Sequence, residues 1–300
     1  REPFHGRCIR TGRAVTNGPA SLFEPAGESW LPTQLSLGPW SREALHGGPV
    51  AALVAREAER CEPTHDMMVT RFSLELLRPV PVAPLLVRAK LTRPGRKIQI
   101  VDVSVLASDR EVAAGRALRA RMVESIGNDG VAGSPEVEGA GYPDDNAAND
   151  DVASTRSAPA VLPESAAPMQ SQLSTYVGYH NTGAEVRFAK GEFGQLGPSF
   201  VWIRLRVPVV PGEDPTPLQR VVGAADFGNG VSPVLPFSTF SFVNPDLTVY
   251  LSRPPVGEWI GLDARTTLGE PGTALAQSEL WDTSGPIGTA LQSLYVERRT

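Results

Sequence analysis

Cysteine is nearly absent from this sequence: Cys8 and Cys61 are the two in 300 residues. That is too few for a disulfide framework or a cysteine-based zinc site, and it fits a reducing, cytoplasmic compartment. Cys61 closes an expected helix and reads as a small, half-buried apolar residue. Lysine is also scarce. Three of the 28 basic residues are Lys and 25 are Arg, and they form no basic stripe of the kind nucleic-acid binding requires. Uncharged runs are short and broken by Gly, Pro or Ser, so none can span a bilayer. The G-x-S-x-G elbow, the G-x-G-x-x-G loop and the phosphate-binding G-x-x-x-x-G-K-[ST] loop are all missing. No His/Asp/Glu group has metal-ligand spacing, so neither a metal nor a cofactor is expected.

A hydrophobic content of 41% over this length is enough for two ordinary domains. The net charge of −5 is unevenly spread. Residues 126–168 hold eight acids and one base, Arg156, with many Gly, Ala, Pro and Ser and few large apolar side chains. Such a stretch buries too little to offset its ordering entropy, so 126–169 is expected to be an acidic linker. It separates a first half, 21–125, from a second, 170–300. Residues 1–20 carry charge but no apolar h-region; they do not read as a secretory signal and are expected to be an extension outside the fold.

The two halves repeat one plan at an offset of 175 residues: Arg78-Pro79 maps onto Arg253-Pro254, each closing an alternating strand. The first half reads as a helix opening at Pro49 and running to Arg60, then strands Met67–Leu77, Leu85–Thr92, Lys97–Ala107 and Glu111–Val123. The second reads as a helix Leu218–Phe227, capped by Thr216-Pro217 and stopped by Gly228-Asn229-Gly230. Strands Ser238–Leu251, Trp259–Thr267, Thr273–Trp281 and Ile287–Arg298 follow it. Two further strands are expected before each helix, at Ser21–Phe23 and Thr33–Leu37, and at Ala184–Phe188 and Phe200–Val207. Short turns between long strands imply antiparallel neighbours and an α+β architecture.

In this register Asp226 falls opposite Ala51, Asn244 opposite Val69 and Gln292 opposite Ala117. A polar set in one copy that is apolar in the other is not needed for folding. Singly, each has an ordinary reading. Asp226 could help close a helix, Asn244 could form a turn before Pro245, and Gln292 could make a structural hydrogen bond on the last strand. His46, before Gly47-Gly48 and a helix, is the best of the four histidines; glycine backbone N–H groups there could meet a ligand oxygen.

Gly38-Pro39-Trp40 with His46-Gly47-Gly48-Pro49 and an Ala-rich helix resembles the thioesterase-like double-hotdog family, relatives of bacterial type II acyl-CoA thioesterases. Gly223-Ala224-Ala225-Asp226-Phe227, Asn244-Pro245-Asp246 and Leu291-Gln292 resemble its second half. The resemblance covers roughly 20–125 and 170–300. It implies a tandem hotdog, each half a central helix wrapped by a mostly antiparallel sheet, that hydrolyses acyl-CoA or acyl-carrier thioesters. Asp226, Asn244 and Gln292 would hold the attacking water without a covalent intermediate, Asn244 standing where the family usually has Thr. His46, Gly47 and Gly48 would serve the substrate or its oxyanion. The first half would be the scaffold and the second the catalytic half. Arg71, Arg78, Arg96 and Arg253 are candidates for the CoA phosphates, and a homo-oligomer is compatible with such a chain. Two other classes stay open: a weak acyl-thioester-binding or structural hotdog protein, and, ranked lowest, a hotdog enoyl hydratase or dehydratase using Asp with His46.

Overall fold

The computed structural model describes residues 20–123, 159–170, 176–270 and 272–299. Residues 1–19, with Cys8, most of the expected linker, and Pro271 of the turn before the third strand lie outside these. In the first half, β1 (Phe23–Ala26) and β2 (Ser29–Pro32) precede α1 (Gly47–Arg60), and β3 (Met67–Leu76), β4 (Leu85–Arg93), β5 (Ile98–Ala107) and β6 (Arg110–Arg121) follow it. The second half begins with β7 (Ala167–Pro168), β8 (Ala184–Lys190) and β9 (Ser199–Leu205), then α2 (Pro217–Ala225) and α3 (Gly228–Val231). It ends with β10 (Phe240–Val243), β11 (Asp246–Leu251), β12 (Ile260–Leu268), β13 (Thr273–Asp282) and β14 (Gly285–Arg298).

The strands join into one antiparallel sheet in the order β1-β2-β4-β5-β6-β3-β11-β14-β13-β12-β9-β8-β7, with β10 beside β14. Apart from β7, the order is palindromic about the β3–β11 seam, where Ser73 pairs with Thr248, its own counterpart at offset 175. The offset also reproduces one irregularity of the ladders. The β5–β6 ladder shifts register at Val105/Leu106 and the β13–β14 ladder at Leu280/Trp281. α1 lies against β3–β6, α2 against β9, β11 and β12, and the helices pack on each other. The alternation read in the sequence appears as burial: along β5, Gln99, Val101, Val103, Val105 and Ala107 point inward.

Several sequence expectations are corrected. Thr33–Leu37 is not a strand but a 3₁₀ turn, Gln34–Ser36, because the Thr33 hydroxyl accepts from Leu35 N–H and donates to the Ser21 carbonyl. Gly228-Asn229-Gly230 does not end the helical path. The path breaks at Asp226, the C-cap of α2, and resumes as α3, whose Gly228 carbonyl takes a bond from the Ser232 hydroxyl. The strand expected at Ser238–Leu251 is divided at Asn244-Pro245, since Pro has no N–H for the ladder. The 175 register holds in the strands but not at the helix starts, Gly47 and Pro217, which are 170 apart. The equation of Asp226 with Ala51 is therefore a strand-based register carried into a shifted helix. The end of the expected linker, 159–169, is docked on the second half: Trp202 Nε1 donates to the Val161 carbonyl and β7 pairs with β8.

Arg253, one of the phosphate candidates from sequence, is also corrected. It grips Asp282 through both carboxylate oxygens and donates to the carbonyls of Pro286 and Gly285, so it is committed to the fold. Burial alone would raise the carboxyl of Asp282. The Arg253 bonds and the N–H groups of Val256 and Ser284 outweigh it and hold the group below the ordinary range. A depressed folded-state pKa gives stability that is present above the unfolded value and lost as pH falls through the folded one. Asp282→Asn should therefore cost about 2–3 kcal/mol at neutral pH. In urea titrations the gap to the parent should close as pH drops below about 4; a constant gap would contradict this account.

Candidate active site

The polar residues of the second half meet at the break after α2. Asp226 is 8% exposed and Gln292 1%. Asn244 Nδ2 donates to Asp226 Oδ1 at 2.7 Å, and Gln292 Nε2 donates to the same oxygen at 3.1 Å. Gln292 is itself held: its Oε1 accepts from Asn229 N–H at 3.4 Å. Asn244 makes this bond from the gap between β10 and β11, next to Pro245. The structure thus brings together all three residues singled out from the sequence.

The other carboxylate oxygen faces the first half. His46 Nδ1 lies 2.7 Å from Asp226 Oδ2, and its side chain is 12% exposed. The same nitrogen also lies 3.1 Å from Gly48 N–H, in the geometry of an N-cap to α1. One nitrogen cannot accept from Gly48 while donating to Asp226. The shorter contact, to a carboxylate, is the stronger of the two, so Nδ1 carries a proton and Nε2 is the nitrogen left for other partners. Gly47 packs directly against the carboxylate: a Cβ there would lie 2.8 Å from both of its oxygens. At Gly48 a Cβ would lie 2.6 Å from the Gly223 carbonyl, so glycine sets the close approach of α1 to α2.

This geometry removes the electrostatic objection to Asp226. A carboxylate at the C-terminus of its own helix opposes that helix's dipole. Here the N-terminus of α1 meets the same group, and Asn244, Gln292 and His46 surround it with donors. Three of the roughly four acceptor positions of a carboxylate are filled, which leaves one on Oδ2.

Asp226, Asn244, Gln292, His46 and Gly47 line a cavity of about 430 Å³. Its other walls are mostly apolar, among them Leu45, Leu76, Val80, Phe193, Val231 and Phe242. Of the four arginines named from sequence, Arg78 alone lines this cavity among the described residues. Gly48 is not on its wall. Two aromatic neighbours were not foreseen. Tyr179 is fully buried, with its ring 5.1 Å from that of His46 and 5.5 Å from that of Phe227. Burial and the charge of Asp226 push its hydroxyl up and keep it un-ionised. His180 lines the cavity, and burial, with nearby His46, lowers it to about 4, so it is neutral near pH 7. A single sequence gives both residues away only as an isolated Tyr-His pair in a polar stretch. Among the described residues no group of three or more His, Cys, Asp or Glu could hold a metal ion, and no helix is long and apolar enough to cross a membrane.

Comparison with known proteins accords with this geometry. The family model for the acyl-CoA thioesterase N-terminal domain matches residues 37–121, and that for the C-terminal domain matches 158–296. No curated protein matches the sequence. A conserved protein with a hot dog fold from Alicyclobacillus acidocaldarius aligns with a TM-score of 0.65 at 15% identity, over 94% of this chain and 97% of its own. A TesB protein from Mycobacterium avium subspecies paratuberculosis gives 0.59 at 16%, over 92% and 96%. An acyl-CoA thioesterase II from Mycobacterium marinum gives 0.55 at 16%, over 86% and 91%. At these identities the structures establish a hot dog fold and no more.

The contact between Gly47 and Asp226 yields a direct test. Gly47→Ala should force the carboxylate away from at least one of its three donors and lower the unfolding free energy by about 1–3 kcal/mol. Chemical denaturation with unchanged stability would show that the carboxylate has room to move.

Proposed function

The chain belongs to the acyl-CoA thioesterase family and is a thioester hydrolase, and on that premise we propose that it cleaves fatty or related acyl-CoA thioesters at the Asp226 cavity, by direct attack of water. The observation that carries this is one buried carboxylate, held by Asn244, Gln292 and His46, in an otherwise apolar cavity. A water on the remaining acceptor position of Oδ2 gives up a proton to the Asp226–His46 pair as its oxygen attacks the thioester carbon. The N-terminus of α1 favours the negative charge that develops on the carbonyl oxygen. Collapse of the adduct breaks the C–S bond. The thiolate leaves with a proton, giving a carboxylic acid and free thiol. A thiolate leaves easily, so no covalent acyl-enzyme is needed.

On this reading His46 belongs to the reacting set and is not only a donor toward the substrate oxyanion. The apolar walls would take the acyl chain, and Arg78 would be placed to meet a CoA phosphate. We further infer that the molecule is a tandem hotdog, with α1 central to 21–125 and α2 to 170–300. The site then draws on both halves, Asp226, Asn244 and Gln292 from one and His46 and Gly47 from the other.

The close His46–Asp226 pair is also what an enoyl hydratase or dehydratase would need, and it supports that chemistry as the second reading. Assay of purified protein with a series of saturated acyl-CoA esters, and in parallel with enoyl-CoA, separates the two. Thiol release is expected, and hydration without thiol release would sink the thioesterase proposal. Asp226→Ala is expected to lower kcat/KM by about 10²–10⁴-fold. Asn244→Ala and Gln292→Ala should each lose about 10-fold or more, chiefly in kcat, because they act on the carboxylate and not on the acyl chain.

A further inference from the structure

A second pocket, of about 310 Å³, lies at the opposite ends of the two helices. The 175 register makes it the counterpart of the Asp226 cavity. Met67, Met68 and Val69 stand where Phe242, Val243 and Asn244 line that cavity, and Leu251 and Pro254 stand where Leu76 and Pro79 do. The helix ends correspond as well. Glu59, in the last turn of α1, accepts at Oε2 from the Thr216 hydroxyl at 2.7 Å and from Gln219 Nε2 at 3.3 Å. Thr216 is the N-cap of α2, as His46 is of α1. In both places a carboxylate at the end of one helix is gripped by the residue that caps the start of the other.

The two pockets differ in what a reaction would need. Val69 and Ala117 replace Asn244 and Gln292. The first residue of α2 is Pro217, with no N–H, where α1 has Gly47. Apolar walls and a carboxylate remain, but the groups that would hold a water and favour an oxyanion do not. No described residue donates to Glu59 Oε1, and burial raises the Glu59 carboxyl against the lowering influence of Thr216, Gln219 and the charge of Arg119. The charged or titratable groups beside it are Arg119 on β6, which donates to the carbonyls of Ala58, Cys61 and Glu62, and His65 on the pocket wall; α2 presents uncharged Thr216 and Gln219.

We propose that this pocket is a non-catalytic site for a free fatty acid, its chain along Met67, Met68 and Leu251 and its carboxyl sharing one proton with Glu59 Oε1. A thioester carbonyl only accepts hydrogen bonds and has nothing to offer a carboxylate, whereas a carboxylic acid can donate. The choice of a fatty acid rests on the proposed hydrolysis, which releases one.

Calorimetric titration with decanoic acid tests the proposal. The wild type should bind one decanoate at the Asp226 cavity and a second here. Met122→Trp, at an exposed position on the pocket rim, should abolish the second event alone, with an unchanged thermal midpoint as the folding control. Glu59→Gln can keep its carbonyl on Thr216 and Gln219 and turn its NH₂ toward the ligand carboxylate, so binding should persist or tighten. Glu59→Ala should weaken it by about tenfold or more. The absence of any decanoate event that both Met122→Trp and Glu59→Ala weaken overturns the site. Thiol release from acyl-CoA is measured on the same preparation. Its failure overturns the hydrolysis reading, whereas a Glu59-dependent second decanoate can still be seen without it.

Discussion

The pairing of β3 with β11 is the constraint from which the rest of the molecule follows. Ser73 meets Thr248, its own counterpart, so the seam relates the halves by an approximate two-fold axis. Phe72 and Leu74 on one strand, and Leu247 and Val249 on the other, are buried on its inner face. A slip of either strand by one residue would turn its own buried pair toward solvent, so the hydrophobic pattern locks the register. With the register fixed, the two helices must lie antiparallel across the inner face. Each then brings its N-terminal cap to the C-terminal end of the other.

That arrangement explains how a carboxylate can sit where helix electrostatics alone would disfavour it. At both helix junctions an acidic side chain ends one helix and faces the start of its partner, so the opposing dipoles offset each other. Asp226 meets His46, and Glu59 meets Thr216. The junctions differ in backbone detail more than in plan. After Asp226 the path breaks and restarts as α3, which places Asn229 N–H on Gln292. After Glu59 the helix simply ends at Arg60, with Cys61 as its C-cap.

Strands were more legible in the sequence than helix ends. Alternating burial and the 175 offset survive in β12 and β13, which begin 175 residues after β4 and β5. The helices lost that register because their starts are 170 apart, a difference taken up in connecting loops that no periodicity marks. Gly228-Asn229-Gly230 carries a stop signal that a local bond from the Ser232 hydroxyl to the Gly228 carbonyl and a long-range bond from Asn229 N–H to Gln292 Oε1 override. In the site, Asn244 and Gln292 stood out because their counterparts Val69 and Ala117 are apolar; Asp226 stood out through a register that the helices do not keep, and the carboxylate at the other helix junction is Glu59. The contact of His46 with Asp226 was invisible, since 180 residues separate them and only the folded sheet closes that distance. Arg253 misled for a related reason: its partner Asp282 gives no local sign of being buried.

In the proposed mechanism, Asn244 takes the place of a different expected residue type. In the family this sequence resembles, the position usually carries Thr, whose one hydroxyl oxygen must both donate and accept. Asn divides those duties between two atoms. Nδ2 is committed to Asp226 Oδ1, and Oδ1 remains an acceptor for a water proton. The amide is also one atom longer, which suits a residue that sits in a break before Pro245 and not within a continuous strand. Thr placed there without moving that break would fall short of the carboxylate, so the Asn and the break act as one unit. The side chain and the local backbone are therefore best understood together, as a single solution to holding Asp226 from the strand side.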